Sequence, residues 1–172
     1  MFKTIKATPK NIQDIQTIAH KTWSVAYQNI ISKEQIDYML TTMYATDVLK
    51  AQMENVNYNF YICINSDISI GFVAFELNYN NLPKTKIHKL YILPDFQGKG
   101  VGKILLDKSI EYARKNNNTA LVLNVNKQNS AKYFYEKLGF TVSYQEVINI
   151  GNGYVMDDFV MEKNISEIYK VY

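Results

Sequence analysis

Pro94-Asp95-Phe96-Gln97-Gly98-Lys99-Gly100-Val101-Gly102-Lys103 lies between a predicted β-strand, which Pro94 ends, and a predicted amphipathic helix. Three glycines within five residues allow a tight backbone turn that exposes successive N–H groups. The positive end of the following helix points in the same direction, and Lys99 and Lys103 add charge. The segment therefore predicts a binding site for an anion such as pyrophosphate.

Two common phosphate-binding loops do not fit this spacing. A P-loop requires G-x-x-x-x-G-K-[ST], whereas Ile104 follows Gly102-Lys103 and Gln97 stands where the first glycine should be. A dinucleotide-binding loop requires G-x-G-x-x-G and a β-α-β unit that opens the chain, and neither is present. A glycine-rich turn without a ligand remains the structural alternative.

The elements on either side of this loop follow from residue periodicity and turn residues. Ser32-Lys33-Glu34-Gln35 matches a capping box, and short polar turns are predicted at 65–67 and 151–153. Strands are predicted over 2–6, 58–64, 68–77, 84–93, 120–125, 140–150 and 154–163, and helices are predicted to begin at Thr8, Ser32, Thr46, Gly100 and Asn129.

This order of elements predicts an α+β fold with a central, mostly antiparallel sheet. We find no repeat, low-complexity tract or linker in the 172 residues. The sequence therefore predicts one domain over 1–163, followed by a short tail over 164–172 that packs on the domain, packs on a neighbour or frays.

Three segments resemble the GNAT superfamily of acyl-CoA-dependent N-acetyltransferases. Residues 97–102 match its [QR]-x-x-G-x-[GA] signature, and Leu90-Tyr91-Ile92-Leu93-Pro94 is similar to its splayed fourth strand. Asn129-Ser130-Ala131-Lys132-Tyr133-Phe134-Tyr135-Glu136-Lys137-Leu138-Gly139-Phe140 resembles its later helix. The resemblance covers roughly 1–163 and implies a three-layer α/β/α fold with about seven strands in a mixed sheet.

The resemblance also implies where acetyl-CoA binds as co-substrate. Backbone groups of Leu90, Tyr91 and Ile92 are expected to bind the pantetheine arm. Asn129 is expected to contact the cofactor at the start of the next helix, although the spacing leaves Gln128 as an alternative. The pyrophosphate is expected on the loop residues Gln97, Gly98, Lys99, Gly100, Val101, Gly102 and Lys103.

Acetyl transfer to an amine requires proton handling but no enzyme nucleophile. Tyr135 matches the family tyrosine near the coenzyme sulfur and is the expected acid, with Tyr133 as a substitute and core packing as the alternative. His88 is the expected base, because alternation should place it on the same face as Leu90 and Ile92. A structural histidine, with a water chain as base, is the alternative.

The family builds its acceptor pocket from the first two helices and the last hairpin. Carboxylates there attract a cationic amine, and aromatic rings stack on it; solvated charges beside core aromatics are the alternative. Residues 23–40 and 151–158 resemble the PaiA-like polyamine acetyltransferase branch. The candidate acceptor residues are Trp23, Tyr27, Tyr38, Glu146, Asp157 and Asp158.

The composition excludes several other classes of protein. A net charge of +3, spread along the chain, does not favour nucleic acid, and no apolar run is long enough to span a membrane. Cys63 is the only cysteine and lies in an apolar strand, which favours a buried thiol and a reducing cytoplasm. No metal site is predicted, and a homodimer is left open.

Three other functions compete with small-amine acetylation. One is acetylation of a protein N-terminus or lysine. A second is a non-catalytic acyl-CoA sensor that keeps the glycine loop, and a third is a partner-binding domain without a cofactor. A small cationic amine, such as a polyamine, is the preferred acceptor.

Overall fold

A computed structural model describes residues 1–166. The strands are β1 (Lys3–Lys6), β2 (Tyr58–Asn65), β3 (Ile68–Glu76), β4 (Lys84–Ile92), β5 (Ala120–Asn126), β6 (Thr141–Gly151) and β7 (Tyr154–Asn164). The helices are α1 (Ile12–Ala26), α2 (Lys33–Met43), α3 (Thr46–Glu54), α4 (Val101–Lys115) and α5 (Ala131–Lys137), and short 3₁₀ turns cover Pro9–Asn11, Tyr79–Asn81 and Pro94–Phe96.

The seven strands form one mixed sheet in the order β1-β2-β3-β4-β5-β7-β6. Neighbouring strands are antiparallel except β4 and β5, which run parallel. Helices α1, α2 and α3 bury their apolar residues on one side of the sheet, called here the α1 face, and α4 and α5 cover the opposite α4 face. The predicted α+β, three-layer architecture is confirmed.

Local signals place most element ends within two residues of the prediction. Ser32 begins α2, and its Oγ accepts a hydrogen bond from the Gln35 amide at 3.1 Å. Ser66 and Asp67 both have positive φ, 47° and 66°, which matches the tight turn expected between β2 and β3. The helix predicted to begin at Thr8 instead opens with a 3₁₀ turn, and α1 follows from Ile12.

Two apolar cores lie on opposite faces of the sheet. On the α1 face, Ile15, Ile18 and Trp23 of α1 pack with strand residues such as Phe72. Their spacing of three to five residues places them on one side of the helix. On the α4 face, Leu105 and its neighbours on α4 pack against β3 and β5. The sheet is therefore held from both sides and can tolerate a local separation of strands.

Strands β4 and β5 pair over only four residues, from Lys84 opposite Ala120 to Ile87 opposite Leu123. Beyond that point β4 continues to pair with β3 as far as Ile92 opposite Gly71. The partner strand on the other side of β4 is then missing, so the sheet opens between β4 and β5. This is the splay implied by the family resemblance.

A β-bulge in β4 corrects one expectation about His88. Ala74 pairs with Lys89 and Phe75 pairs with Ile87, so His88 is an extra residue on β4. Leu90 packs in the core of the α4 face, whereas the His88 ring stacks on Tyr58 of the α1 face. His88 therefore faces away from Leu90 and Ile92, because the extra residue reverses the alternation that we had assumed.

The start of the predicted tail, residues 164 and 165, packs on the domain. Strand β7 continues through Asn164, and Ile165 is only 2% exposed within the core of the α4 face. The amide of Ile165 donates to the Thr119 carbonyl at 2.8 Å, and its carbonyl accepts from Arg114 Nε at 2.9 Å. The first residues of the predicted tail therefore pack on the domain, which is one of the three outcomes left open for it, and positions 167–172 lie outside the described residues.

Within residues 1–166, none of the helices combines the length and the apolar character that crossing a bilayer requires.

Candidate active site

A cavity of about 840 Å³ lies at the opening between β4 and β5. Because the sheet is interrupted there, the cavity is lined by α1 on one face and by α4 and α5 on the other. Ten of the predicted cofactor-binding residues line it, and Lys99 and Lys103 do not. The ten are Leu90, Tyr91, Ile92, Gln97, Gly98, Gly100, Val101, Gly102, Gln128 and Asn129.

The glycine loop presents a row of free backbone donors to this cavity. Gly98 and Gly100 have φ of 72° and 84°, a left-handed backbone that favours glycine. The six consecutive amides from Gly98 to Lys103 donate to no protein acceptor in the described part of the chain. They lie at the N-terminus of the 15-residue helix α4, whose dipole is positive at that end. The arrangement is suited to an anion with several oxygens, such as a diphosphate.

Close packing explains the third glycine of the loop. A Cβ atom at Gly102 would lie 2.9 Å from Cζ of Phe134 and 3.4 Å from Cδ1 of Ile92. Gln97 fixes the other end of the loop, because its Nε2 donates to the Ile92 carbonyl at 3.1 Å. Of the two lysines, Lys103 pairs with Asp107 on the surface of α4 at 2.6 Å. Lys99 lies over the Phe96 ring, and neither lysine lines the cavity, so the loop offers backbone amides rather than lysine side chains to an anion.

Asn129 and Gln128 lie where β5 turns into α5. The N-cap position of α5 is Ser130 rather than Asn129, but the Asn129 Oδ1 accepts a hydrogen bond from the first amide of the helix, that of Ala131, at 2.9 Å. Asn129 also hydrogen-bonds with Tyr27 through its side chain, and both Gln128 and Asn129 line the cavity. Either residue is placed to contact a ligand there, and the geometry does not separate the two alternatives.

Three tyrosines meet where the cavity crosses the sheet. Tyr135 from α5, Tyr27 from α1 and Tyr91 from β4 all line it. Burial, followed by the proximity of Tyr27, raises the pKa of Tyr135, which is 8% exposed. The phenol of Tyr135 therefore keeps its proton at physiological pH and can serve as a donor. Tyr133, the alternative acid, is 65% exposed and does not line the cavity.

His88 lines the cavity but is held by protein contacts. Its Nε2 lies 2.8 Å from a carboxylate oxygen of Glu76, and its ring stacks on Tyr58. Burial lowers the pKa of His88 to about 4, although the hydrogen bond with Glu76 raises it; nearby Lys89 and Lys86 lower it further. His88 is therefore neutral at pH 7 and is a weak proton acceptor.

The predicted acceptor residues are separated by the structure. Tyr27 lines the cavity, whereas Trp23 is buried in the core and is 2% exposed. The ring centroids of Trp23 and Tyr27 are 4.6 Å apart. Tyr38 packs on the last hairpin, where its hydroxyl donates to the Ile150 carbonyl at 3.2 Å. Asp157 does not lie where an acceptor residue was expected. Strand alternation places it on the α4 face, where its carboxylate pairs with Lys127 at 2.5 Å.

Asp158 and Glu146 do lie together on the α1 face, as opposite residues of β7 and β6. The amide of Asn124 on β5 donates to Glu146 at 2.7 Å, and Lys86 on β4 donates to the Asn124 side chain. Asp158 is 5% exposed. A short row of buried polar groups therefore runs across the sheet beside the cavity, which Asn124 itself lines.

The sequence interpretation missed several lining residues. Thr22 belongs to the buried side of α1, whose helical spacing could have identified it, and Ile30 lies in the turn that follows the helix. Phe134 was not singled out from the segment 129–140, because its proximity to Gly102 is a tertiary contact with no local signal. Lys89 lines the cavity because of the β-bulge, and no sequence pattern predicted this bulge.

Comparisons with known proteins agree with this geometry. A family model described as the acetyltransferase (GNAT) domain matches residues 27–162. The chain is 27% identical over 168 residues to the spermidine N(1)-acetyltransferase of Thermoplasma acidophilum, covering 93% of this chain and 97% of that protein. It is also 38% identical over 86 residues to an uncharacterized N-acetyltransferase of Methanocaldococcus jannaschii, and spans 38% of that protein's length.

Solved structures give the same result. The crystal structure of the PaiA N-acetyltransferase from Thermoplasma acidophilum in complex with coenzyme A is similar with a TM-score of 0.81 and 25% identity, over 95% of this chain and 99% of that chain. A GCN5-related N-acetyltransferase from Rhodopseudomonas palustris has a TM-score of 0.80 over 94% of each chain at 19% identity, which shows the shared fold alone. The chain belongs to the GNAT family of N-acetyltransferases, the class of acyltransferase that its glycine loop and its fifth helix predicted.

Proposed function

We propose that the protein transfers the acetyl group of acetyl-CoA to a primary amine by direct attack within a ternary complex. The observation that carries this proposal is the row of six free amides from Gly98 to Lys103 at the mouth of the cavity. The similar PaiA structure contains coenzyme A, which supports the same ligand here.

The described residues fit coenzyme A at three points. The loop amides match the diphosphate in charge and donor number. The open edge of β4 beyond Ile87 offers unpaired backbone groups to the amide-containing pantetheine arm. The absence of a Cβ atom at Gly102 lets the loop pack directly against Phe134 of α5, which also lines the cavity. Leu90, Tyr91 and Ile92 on β4, together with Gln128 or Asn129, would hold the remainder.

Acetyl-CoA, when bound, supplies an acetyl thioester to the site. Tyr135 would donate its phenolic proton to the sulfur that leaves, because its raised pKa keeps it protonated. Tyr27 and Tyr91 lie beside Tyr135 and would fix its orientation. The low-dielectric surroundings of the three hydroxyls strengthen their electrostatic effect on the reacting carbonyl oxygen.

A small cationic amine is the acceptor that the chain supports best. The spermidine N(1)-acetyltransferase of Thermoplasma acidophilum aligns over nearly the whole chain. The carboxylates of Asp158 and Glu146 lie on the α1 face beside the cavity, where they would attract an ammonium group. Tyr27 would provide an aromatic wall for the alkyl chain.

The test is a thiol-release assay with acetyl-CoA and a panel of amines that includes spermidine, amino acids and peptides. We expect turnover with polyamines. Turnover with peptides alone would favour a protein acetyltransferase, and coenzyme A binding without turnover of any amine would indicate a sensor. Absence of coenzyme A binding in titration calorimetry would overturn the proposal itself.

The Tyr135→Phe variant tests the acid. Removing the hydroxyl should lower kcat by about 100-fold or more while coenzyme A binding is retained, because general acid catalysis contributes on the order of 10²–10⁴-fold. Tyr133→Phe is a matched control on the exposed side of α5 and should keep the wild-type kcat. Equal kcat values for wild type and Tyr135→Phe would eliminate Tyr135 as the acid.

A further inference from the structure

Asp158 is a buried carboxylate with an unused hydrogen-bonding atom. Its side chain is 95% buried on the α1 face, and its Oδ1 has no hydrogen-bond partner among the described residues. Most buried carboxylate oxygens in proteins are paired, so an unpaired one is costly and suggests a functional use. The other cavity-side carboxylate, Glu146, already accepts a hydrogen bond from Asn124 at 2.7 Å.

The groups that face Asp158 come from every neighbouring element. Asn124 on β5 lies beside it, Glu146 is opposite it on β6, and Lys86 on β4 is close enough to interact with its charge. Tyr27 on α1 also feels the charge of Asp158. Asp158 is not itself a lining residue of the cavity; it lies directly behind the lining, next to Asn124, which lines the cavity as Tyr27 does.

We propose that Asp158, rather than His88, accepts the proton that the acceptor ammonium loses. This inference rests on the proposed acetyl transfer to an amine. Asp158 has a free oxygen, whereas the Nε2 of His88 is bonded to Glu76. His88 also lies between Lys86 and Lys89 in sequence and close to both charges, which oppose a positive imidazolium.

The protonation behaviour of the two groups agrees with this assignment. Burial raises the pKa of Asp158 to about 6, and the charge of Glu146 raises it further, whereas Asn124 and Lys86 lower it. Burial lowers the pKa of His88 to about 4. The usual order of carboxyl and imidazole is therefore reversed, and Asp158 is the stronger base while remaining mostly ionised at neutral pH.

The proton balance is complete without another reactant. An ammonium group becomes an amide with one N–H, so two protons leave the nitrogen. Asp158 accepts the first and returns it to solvent between turnovers. The electron pair that this frees forms the bond to the acetyl carbon as the carbon–sulfur bond breaks. The sulfur takes the proton of Tyr135, and the second proton from nitrogen restores Tyr135.

The experiment compares Asp158→Asn with the matched neighbour variant Asp157→Asn, which removes a carboxylate from the opposite face of β7. Initial rates of thiol release with the best amine are measured from about pH 5 to about pH 9. In the wild type we expect kcat/KM to rise through an apparent pKa near that of Asp158. The acceptor ammonium titrates well above this range.

Asp158→Asn should lose this acid limb and lower kcat by about 100-fold, with coenzyme A affinity unchanged in calorimetry. Asp157→Asn should keep the wild-type kcat and pH profile. A second variant, Glu146→Gln, should move the limb to lower pH, because it removes a charge that raises the pKa of Asp158. The unchanged coenzyme A affinity shows that the variants are folded.

Three results would overturn the assignment. The acid limb could persist in Asp158→Asn, it could vanish in His88→Gln instead, or Asp158→Asn could raise KM with kcat unchanged, as expected of a binding residue. Each leaves the proposed acetyl transfer intact. A wild-type protein that binds coenzyme A and acetylates no amine would instead overturn the proposed function, and this inference with it.

Discussion

Replacing Asp158 with asparagine should stabilise the protein at neutral pH. The carboxyl is 5% exposed, and one of its oxygens has no hydrogen-bond partner in the described chain. Ionisation of this group is therefore more costly in the folded protein than in the unfolded chain. Asparagine has nearly the same shape but no charge, so the variant removes this cost and leaves the packing in place.

The size of the effect follows from the change in pKa. A rise from 3.8 to about 6 is roughly two units, which corresponds to about 3 kcal/mol at most. The folded protein binds this proton more tightly than the unfolded chain does. The stabilisation from protonation is thus complete below pH 3.8 and is lost as the pH rises through about 6. The advantage of Asp158→Asn should be small near about pH 4 and full near about pH 7.5.

Urea unfolding of both proteins at several pH values measures this difference. The single tryptophan, Trp23, is 2% exposed and reports unfolding by fluorescence. The difference in the free energy of unfolding between variant and wild type isolates Asp158 from other titrating groups. A variant that is less stable than wild type at neutral pH, or whose advantage is the same at every pH, would refute the reasoning.

Two further predictions concern other parts of the site. Gly102→Ala should weaken coenzyme A binding at least tenfold in calorimetry, because the added methyl group would lie 2.9 Å from Phe134 and push it or the loop aside. Gly153→Ala is the control for a strained glycine replacement away from the cavity, since Gly153 has φ of 77° and its Cβ would meet nothing within 4 Å. Equal coenzyme A affinities of Gly102→Ala and the wild type would contradict this reasoning. On acidification between about pH 6.5 and about pH 4 the wild type should lose stability, because the folded protein resists protonation of His88. His88→Gln should lack this loss. Unfolding free energies of the variant with the same acid dependence as those of the wild type would contradict this prediction.

Local signals account for most of what the sequence predicted correctly. The glycine loop, the Ser32 cap and the turn at Ser66-Asp67 are each specified by a few consecutive residues, and the structure has them where expected. Residue periodicity and turn residues also gave the order of the elements, and the family motifs agreed with that order. The end of the domain was less certain, because the burial of Ile165 depends on contacts with Thr119 and Arg114 that are distant in sequence.

The direction of individual side chains was harder to predict. Period-two alternation placed His88 on the wrong face, because the β-bulge that reverses it depends on pairing with β3. Asp157 and Asp158 were treated alike, although adjacent strand residues must face opposite ways. The pKa of Asp158 could not be predicted at all, since it is set by burial and by neighbours on three other strands.

The short pairing of β4 with β5 has a further consequence for folding. Past Ile87 and Leu123, no backbone hydrogen bonds join β4 to β5, so the middle of the sheet contains a gap in its hydrogen bonding, called here the seam. A ligand that bonds to the β4 edge would act as a substitute strand and close part of this seam. Such a molecule binds only the folded chain, so its concentration should set how firmly the two halves of the sheet are held together.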